Sequence, residues 1–149
     1  TALGRLRLGG LAMLAASSTD AFDGALARVS GKQSRFGAFF DSTLDRLSEG
    51  AVLFGLAVTF YNQGRAPELY LTFLALLGSV MVSYTRARAE GVGYACKVGL
   101  LTRPVRVAVL GLAMLSPWLG YGLALLTALT WFTVGQRILH VYRAAKLDP

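Results

Sequence analysis

From Val107 to Val134 the chain runs 28 residues without one charged side chain. A helix of that length outruns the roughly 20 apolar residues that cross a bilayer, and it exceeds what an ordinary soluble helix keeps free of charge. Within it, Ser116-Pro117-Trp118-Leu119-Gly120-Tyr121-Gly122 gathers turn formers and interfacial aromatics. The stretch therefore reads as a hairpin, with a short span ending near Pro117 and a longer one from about Tyr121 to Tyr142. Three further apolar stretches precede it: about Leu6 to Ala27, about Phe36 to Phe60, and Leu69 to Tyr84 with a helical extension to Glu90. Residues 61–68 form a turn by composition, residues 91–99 a glycine-rich loop, and Pro104 suits the first turn of the next helix.

Composition agrees with a membrane protein: 54% of the 149 residues are apolar, more than a soluble domain carries. The net charge of +7 does not indicate nucleic acid, because the basic residues cluster at the ends of apolar runs instead of forming a solvated stripe. With the hairpin, the 15 Lys and Arg residues divide 12 to 3 between the two faces. The rich side holds Arg28, Lys32, Arg35, Arg46, Arg86, Arg88, Lys97, Arg103, Arg106, Arg137, Arg143 and Lys146; the other holds Arg5, Arg7 and Arg65. This bias makes the rich side cytoplasmic. A single long helix in place of the hairpin would put Arg137, Arg143 and Lys146 on the wrong face. No cleavable leader is visible, and one cysteine, Cys96, permits no internal disulfide. The expected architecture is an all-α, polytopic helical bundle in the cell membrane, with a lipid bilayer as its surroundings.

Half of the eight acidic residues fall within 26 positions: Asp20, Asp23, Asp41 and Asp45. The pairs are spaced i, i+3 and i, i+4, so each lies along one helix face. Two helices bringing two carboxylates each to one place form an all-oxygen site for hard cations, with Mg²⁺ or Mn²⁺ expected and two ions able to share four carboxylates. Without cations, four acids at membrane depth would suffer both desolvation and mutual repulsion. Gly24, Ala27 and Gly37 are small where these helices converge, which allows close backbone approach and room for a flat ligand. Arg28 supplies a fixed charge for bidentate contact with a phosphate oxygen. Together these residues describe a diphosphate site. An isolated Asp-x-x-Asp more often caps a helix, and an intramembrane acid also suits a transporter's proton path; the full register of four Asp, two Gly, Ala and Arg favours the diphosphate.

The run Asp20-x₂-Asp23-Gly24-x₂-Ala27-Arg28-x₈-Gly37-x₃-Asp41-x₃-Asp45 resembles the signature of the CDP-alcohol phosphotransferases at every specified position. The resemblance implies a homodimeric membrane enzyme of six spans, so residues 1–149 would be one transmembrane domain with five visible spans, lacking the family's first. It implies that Asp20, Asp23, Asp41 and Asp45 ligate the metal pair, with Asp45 also the general base. Asp20, Gly24, Ala27, Arg28 and Gly37 would hold the CDP moiety. The implied reaction is in-line attack of an alcohol on the β-phosphorus of a CDP-linked donor, releasing CMP, with the metals stabilising the transferred and leaving groups.

Basic residues outside the signature bear on the acceptor. Ser83-Tyr84-Thr-Arg86-Ala-Arg88-Ala-Glu90-Gly91, Arg103-Pro104 and Gln136-Arg137 resemble segments of bacterial phosphatidylinositol-phosphate synthases. On that resemblance Arg86, Arg88, Arg103 and Arg137 are expected to bind an acceptor phosphate, with CDP-diacylglycerol as donor and inositol phosphate as acceptor. Glu90 is placed to pair with one of these arginines. Phosphatidylglycerophosphate synthases often read Asp-Pro-x-Ala-Asp-Lys around the last two aspartates, where this chain has Asp41-Ser-Thr-Leu-Asp45-Arg46. Both acceptors carry phosphate, so arginines alone do not separate them. A polyprenyl transferase and a small membrane transporter remain as alternatives. Arg106, Arg143 and Lys146 are expected to be snorkelling anchors. His140 is expected at the interface, Cys96 in a loop or packing position, and Glu49 as a supporting partner of the site, a cap or a surface residue.

Overall fold

The computed structural model describes residues 8–15 and 34–147. Every regular element within them is an α-helix: α1 over residues 8–15, α2 (Arg35–Asn62), α3 (Ala66–Gly91), α4 (Arg103–Leu115) and α5 (Leu119–Leu147). Local chemistry sets the ends. The Ser34 hydroxyl accepts the Gly37 N–H at 2.9 Å and caps α2, satisfying one of the donors that a helix start leaves open. Gly64, at φ 66°, makes the turn into α3, a conformation that costs glycine little. Prolines occupy the first turns of α3 and α4. Between α4 and α5 the Ser116 hydroxyl donates to the Ala113 carbonyl and accepts the Trp118 N–H, each at 3.1 Å. The long uncharged stretch is thus two helices joined by a tight turn.

The helices run up and down, with α3 against α5 at the centre, α2 packed on α3 and α4 packed on α5. Leu53, Leu56 and Phe60 of α2 meet Ala75 of α3, Leu110 and Met114 of α4, and Leu123 and Leu126 of α5 in one core. Lipid tails are as apolar as leucine, so membrane helices associate through close packing of small residues and through hydrogen bonds between helices. The α3–α5 seam has both. A Cβ on Gly78 would fall 2.5 Å from Thr130 Oγ1. Thr127 Oγ1 and Trp131 Nε1 cross the seam to the carbonyls of Leu71 and Leu74, each at 3.3 Å. On the other side, a Cβ on Gly111 of α4 would meet Leu14 of α1 at 2.6 Å.

Large apolar side chains cover the outside. Phe39, Phe54 and Tyr61 on α2, Tyr70 and Phe73 on α3, and Leu125 and Phe132 on α5 are all exposed, a surface suited to lipid and not to water. α3 and α5 are long and apolar enough to cross a membrane. α2 has the length, at 28 residues, but carries Asp41, Asp45, Arg46 and Glu49 in its first half. α4, at 13 residues, is about 20 Å long and does not cross a ~30 Å hydrocarbon slab by itself. Among the described residues, all Lys and Arg except Arg65 belong to the half of the bundle where α2 and α4 begin and α3 and α5 end.

Gly78→Ala is expected to destabilise the protein by about 1–3 kcal/mol through overpacking against Thr130, read as a lower unfolding temperature in detergent. Gly55→Ala, where an added Cβ meets nothing within 4 Å, is expected to show no such loss.

Candidate functional site

One stripe of α2 carries the chemistry. Asp41, Asp45, Glu49, Leu53, Leu56 and Phe60 follow each other at three- and four-residue steps and so share one helix face. Burial rises along it: Asp41 is exposed, Asp45 partly buried, and Glu49, Leu53, Leu56 and Phe60 are buried. The stripe leads from the apolar core out to the charged end of the bundle. Gly37, one turn before Asp41, is half-buried.

Two arginines from the first turn of α4 meet this stripe. Arg103 Nη2 lies 2.5 Å from Asp45 Oδ1, and both side chains keep about a quarter of their surface open (25% and 22%). Three residues on, Arg106 grips Glu49 with two bonds, Nε to Oε1 at 2.9 Å and Nη2 to Oε2 at 3.1 Å. Arg46 Nη1 donates to the same Oε2 at 2.9 Å, and Ser79 Oγ of α3 donates to Oε1 at 3.0 Å. Arg106, expected at the lipid interface, is 2% exposed. Its spacing from Arg103 puts both on one face of α4, and that face looks inward. Glu49 is 5% exposed and joins three helices. The signal for it was present in the sequence as the next step, i+4 beyond Asp45, of the aspartate spacing.

The loop between α3 and α4, residues 92–102, delivers Arg103 and is held by one face of α5. Arg137 Nε donates to the Val98 carbonyl at 3.0 Å, and its Nη1 donates to the Val82 carbonyl on α3. The N–H groups of Leu100 and Leu101 donate to Gln136 Oε1 at 3.3 Å and Thr133 Oγ1 at 3.2 Å. His140 Nε2 lies 3.1 Å from the Ala95 carbonyl oxygen. Thr133, Gln136, Arg137 and His140 recur at i, i+3, i+4 and i+7, the neighbours on one helical face. Gly99 takes φ 130° and presses against Thr133 and Arg137, where a Cβ would fall 2.6 Å from Thr133 Cγ2. Cys96 is fully buried in this loop. Arg137 itself is 6% exposed. Arg86 and Arg88 are exposed on the last turns of α3, where Arg86 Nε bonds Glu90 Oε1 at 2.9 Å.

The structure therefore brings Asp41, Asp45 and Arg103 to one place, with Arg86, Arg88 and Arg137 at the same end of the bundle. Asp20, Asp23, Gly24, Ala27 and Arg28 lie outside the described residues. Asp41 and Asp45 are hard oxygen donors one turn apart on a face open toward the charged end, a donor set that fits Mg²⁺ or Mn²⁺. Glu49 is not available as a further ligand, because two donors occupy each of its oxygens and fill the roughly four lone-pair directions of a carboxylate.

Comparison with known proteins identifies relatives of the chain. Residues 2–139 fit the model of the CDP-alcohol phosphatidyltransferase family. The chain is 42% identical over 140 residues to an archaetidylinositol phosphate synthase of Pyrococcus horikoshii, covering 93% of this chain and 70% of that protein. It is 36% identical over 150 residues to a phosphatidylinositol phosphate synthase of Mycobacteroides abscessus, covering 95% of this chain and 68% of that protein. Its fold is similar to that of Mycobacterium tuberculosis phosphatidylinositol phosphate synthase with CDP-DAG bound (TM-score 0.78, 29% identity, 95% of this chain and 86% of that one). A second structure of the M. tuberculosis enzyme, in complex with manganese and citrate, aligns with the same TM-score of 0.78, 29% identity, and 94% and 78% coverage. The chain belongs to the CDP-alcohol phosphatidyltransferase family, and is a multi-pass membrane enzyme of that family.

Proposed function

We propose that this enzyme transfers the lipid-bearing phosphoryl group of a CDP-linked lipid, CDP-diacylglycerol, to a hydroxyl of inositol phosphate, releasing CMP on the cytoplasmic side of the membrane. The observation that carries this reading is the contact between Arg103 and Asp45. It sets a guanidinium, a group suited to phosphate, beside the carboxylate proposed to take the acceptor's proton. The relatives support the acceptor: an archaeal and a bacterial enzyme share inositol phosphate in their names and differ in the lipid, archaetidyl against phosphatidyl. The net positive charge at this end of the bundle, with Arg86 and Arg88 exposed, suits an acceptor that already carries phosphate. The same bias of basic residues favours a cytoplasmic orientation.

Asp45 is the proposed base. Its carboxylate accepts the proton as the acceptor oxygen forms a bond to the β-phosphorus, and the bond from that phosphorus to the bridging oxygen breaks, leaving CMP with the electron pair. Asp41 and Asp45, with Asp20 and Asp23 of the signature, are the proposed holders of two divalent ions. Bound there, such ions supply charge stabilisation for the transferred and leaving groups. Gly24, Ala27, Arg28 and Gly37, with Asp20, are the proposed CDP contacts. Arg103 orients the acceptor through its phosphate, and Arg86, Arg88 and Arg137 complete the cationic surroundings. A homodimer is the proposed assembly.

Three outcomes test this reading in reconstituted protein. With inositol phosphate as acceptor, CMP release from CDP-diacylglycerol is expected to exceed that with glycerol phosphate at least about tenfold, the effect of one well-placed interaction of about 1.4 kcal/mol; faster turnover with glycerol phosphate would overturn the acceptor assignment. Asp45→Asn is expected to lower CMP release by about 10²–10⁴-fold, the usual contribution of a general base, while the protein stays folded. Chelation by EDTA is expected to stop turnover, and added Mg²⁺ or Mn²⁺ to restore it; activity that persists in EDTA would exclude the metal-dependent mechanism.

A further inference from the structure

Glu49 stands one turn beyond the proposed base and takes no part in the chemistry described above. Its carboxylate is saturated: Oε1 accepts from Arg106 Nε and Ser79 Oγ, and Oε2 accepts from Arg106 Nη2 and Arg46 Nη1. With Glu49 5% and Arg106 2% exposed, the pair lies out of solvent. A buried ion pair is a poor source of stability, since desolvating both charges offsets their attraction, and its best-attested use is to fix a register. Here there is a register to fix. The strongest helix packings join α3 to α5, α2 to α3 and α4 to α5, while α2 and α4 share the apolar core and meet at its charged end through side-chain ion pairs. Two acids of α2 at i, i+4 face two arginines of α4 at i, i+3. Sliding or rotating α4 by one residue would lose the fork of Arg106 on Glu49 and carry Arg103 away from Asp45.

We propose that Glu49 is the positioning residue of the site: through its two-pronged contact with Arg106 it locks the first turn of α4 onto α2 and so sets where the Arg103 guanidinium stands relative to the Asp45 carboxylate. Ser79 extends the lock to α3, and Arg46 fills the last acceptor direction on Oε2. The two ion pairs divide the work by exposure. The outer pair, with 25% and 22% of its side-chain surface open, stays within reach of ligands, while the inner pair is closed to them. This inference rests on the roles proposed above for Arg103 and Asp45.

The test is a two-residue cycle in the intact protein, with CMP release followed against acceptor and donor concentration separately. Glu49→Gln keeps the volume and removes the charge that Arg106 requires. It is expected to lower kcat/KM for the phosphorylated acceptor by one to two orders of magnitude, about the cost of a 1 Å misplacement, and to leave the donor KM within about twofold. Because Glu49 acts through Arg103, Glu49→Gln is expected to add little to Arg103→Ala, the signature of coupled residues. Multiplying effects, or equal rises in both KM values, would overturn the proposal and leave Glu49 a packing residue. If Glu49→Gln does not fold, Ser79→Ala removes one of the four bonds and is read the same way at smaller amplitude. Spin labels at Ser48 of α2 and Val105 of α4, both exposed, give a reading independent of turnover. A distance distribution unchanged by Glu49→Gln overturns the proposal even if wild-type protein uses some other acceptor, whereas wild-type protein inactive toward inositol phosphate overturns the acceptor assignment alone.

Discussion

A carboxylate buried among helices of a membrane protein must be fully bonded, because each unmatched charge there costs several kcal/mol. Glu49 meets this requirement with donors from its own helix, from α3 and from α4. Among the described residues no buried side-chain nitrogen or oxygen lacks a partner. Satisfying that one carboxylate fixes much else. Its two bonds from Arg106 join the first turn of α4 to α2 at the charged end of the bundle. It also accounts for a buried Arg106 where a basic residue next to an apolar run would otherwise extend toward headgroups.

The other frame of the molecule is the seam between α3 and α5. Its closeness depends on Gly78 having no side chain and on threonines whose hydroxyls are returned to backbone carbonyls. Thr130 Oγ1, for example, bonds the Leu126 carbonyl of its own helix at 2.9 Å. Farther along α5, the same helix turns from packing to holding: Thr133, Gln136 and Arg137 take up the polar backbone groups of residues 98–101. Irregular backbone has no partners within its own segment, so these side chains supply them. Thus the segment that carries Arg103 to Asp45 is tied to the best-packed pair of helices.

A single helical turn separates two carboxylates with opposite fates. Asp45 pairs with Arg103 and remains partly open, as the proposed acceptor of a proton or a cation should. Glu49 has four bonds and is closed. Sequence identity alone does not separate them, since both are acids on the same stripe of α2; their distance from the apolar core does. The proposed chemistry and its support are therefore adjacent parts of one gradient, running from Phe60 at the buried end to Asp41 at the open end.

Much of this was legible in the amino-acid sequence. The long uncharged stretch, its Ser116-Pro117 break and the 12-to-3 charge split pointed to the hairpin, because one continuous helix would divide the basic residues between both faces. Pro104 marked the first turn of α4, and the turn composition of residues 61–68 marked the break before α3, whereas the Ser34 cap of α2 and the start of α3 at Ala66 came from the structure. The Asp41–Asp45 spacing identified the stripe, and its resemblance to a known signature identified the family. Which arginine faces which acid was not legible. Arg103 and Arg106 look alike in sequence, two cations at the start of an apolar run, and lipid headgroups or carboxylates would suit either. Only the tertiary structure decided between them: α4 packs on α5 with both arginines turned toward α2, Arg103 on Asp45 and Arg106 on Glu49. Local sequence determines where helices begin and which face is apolar, whereas the partner of a charge depends on the angle at which two distant helices meet.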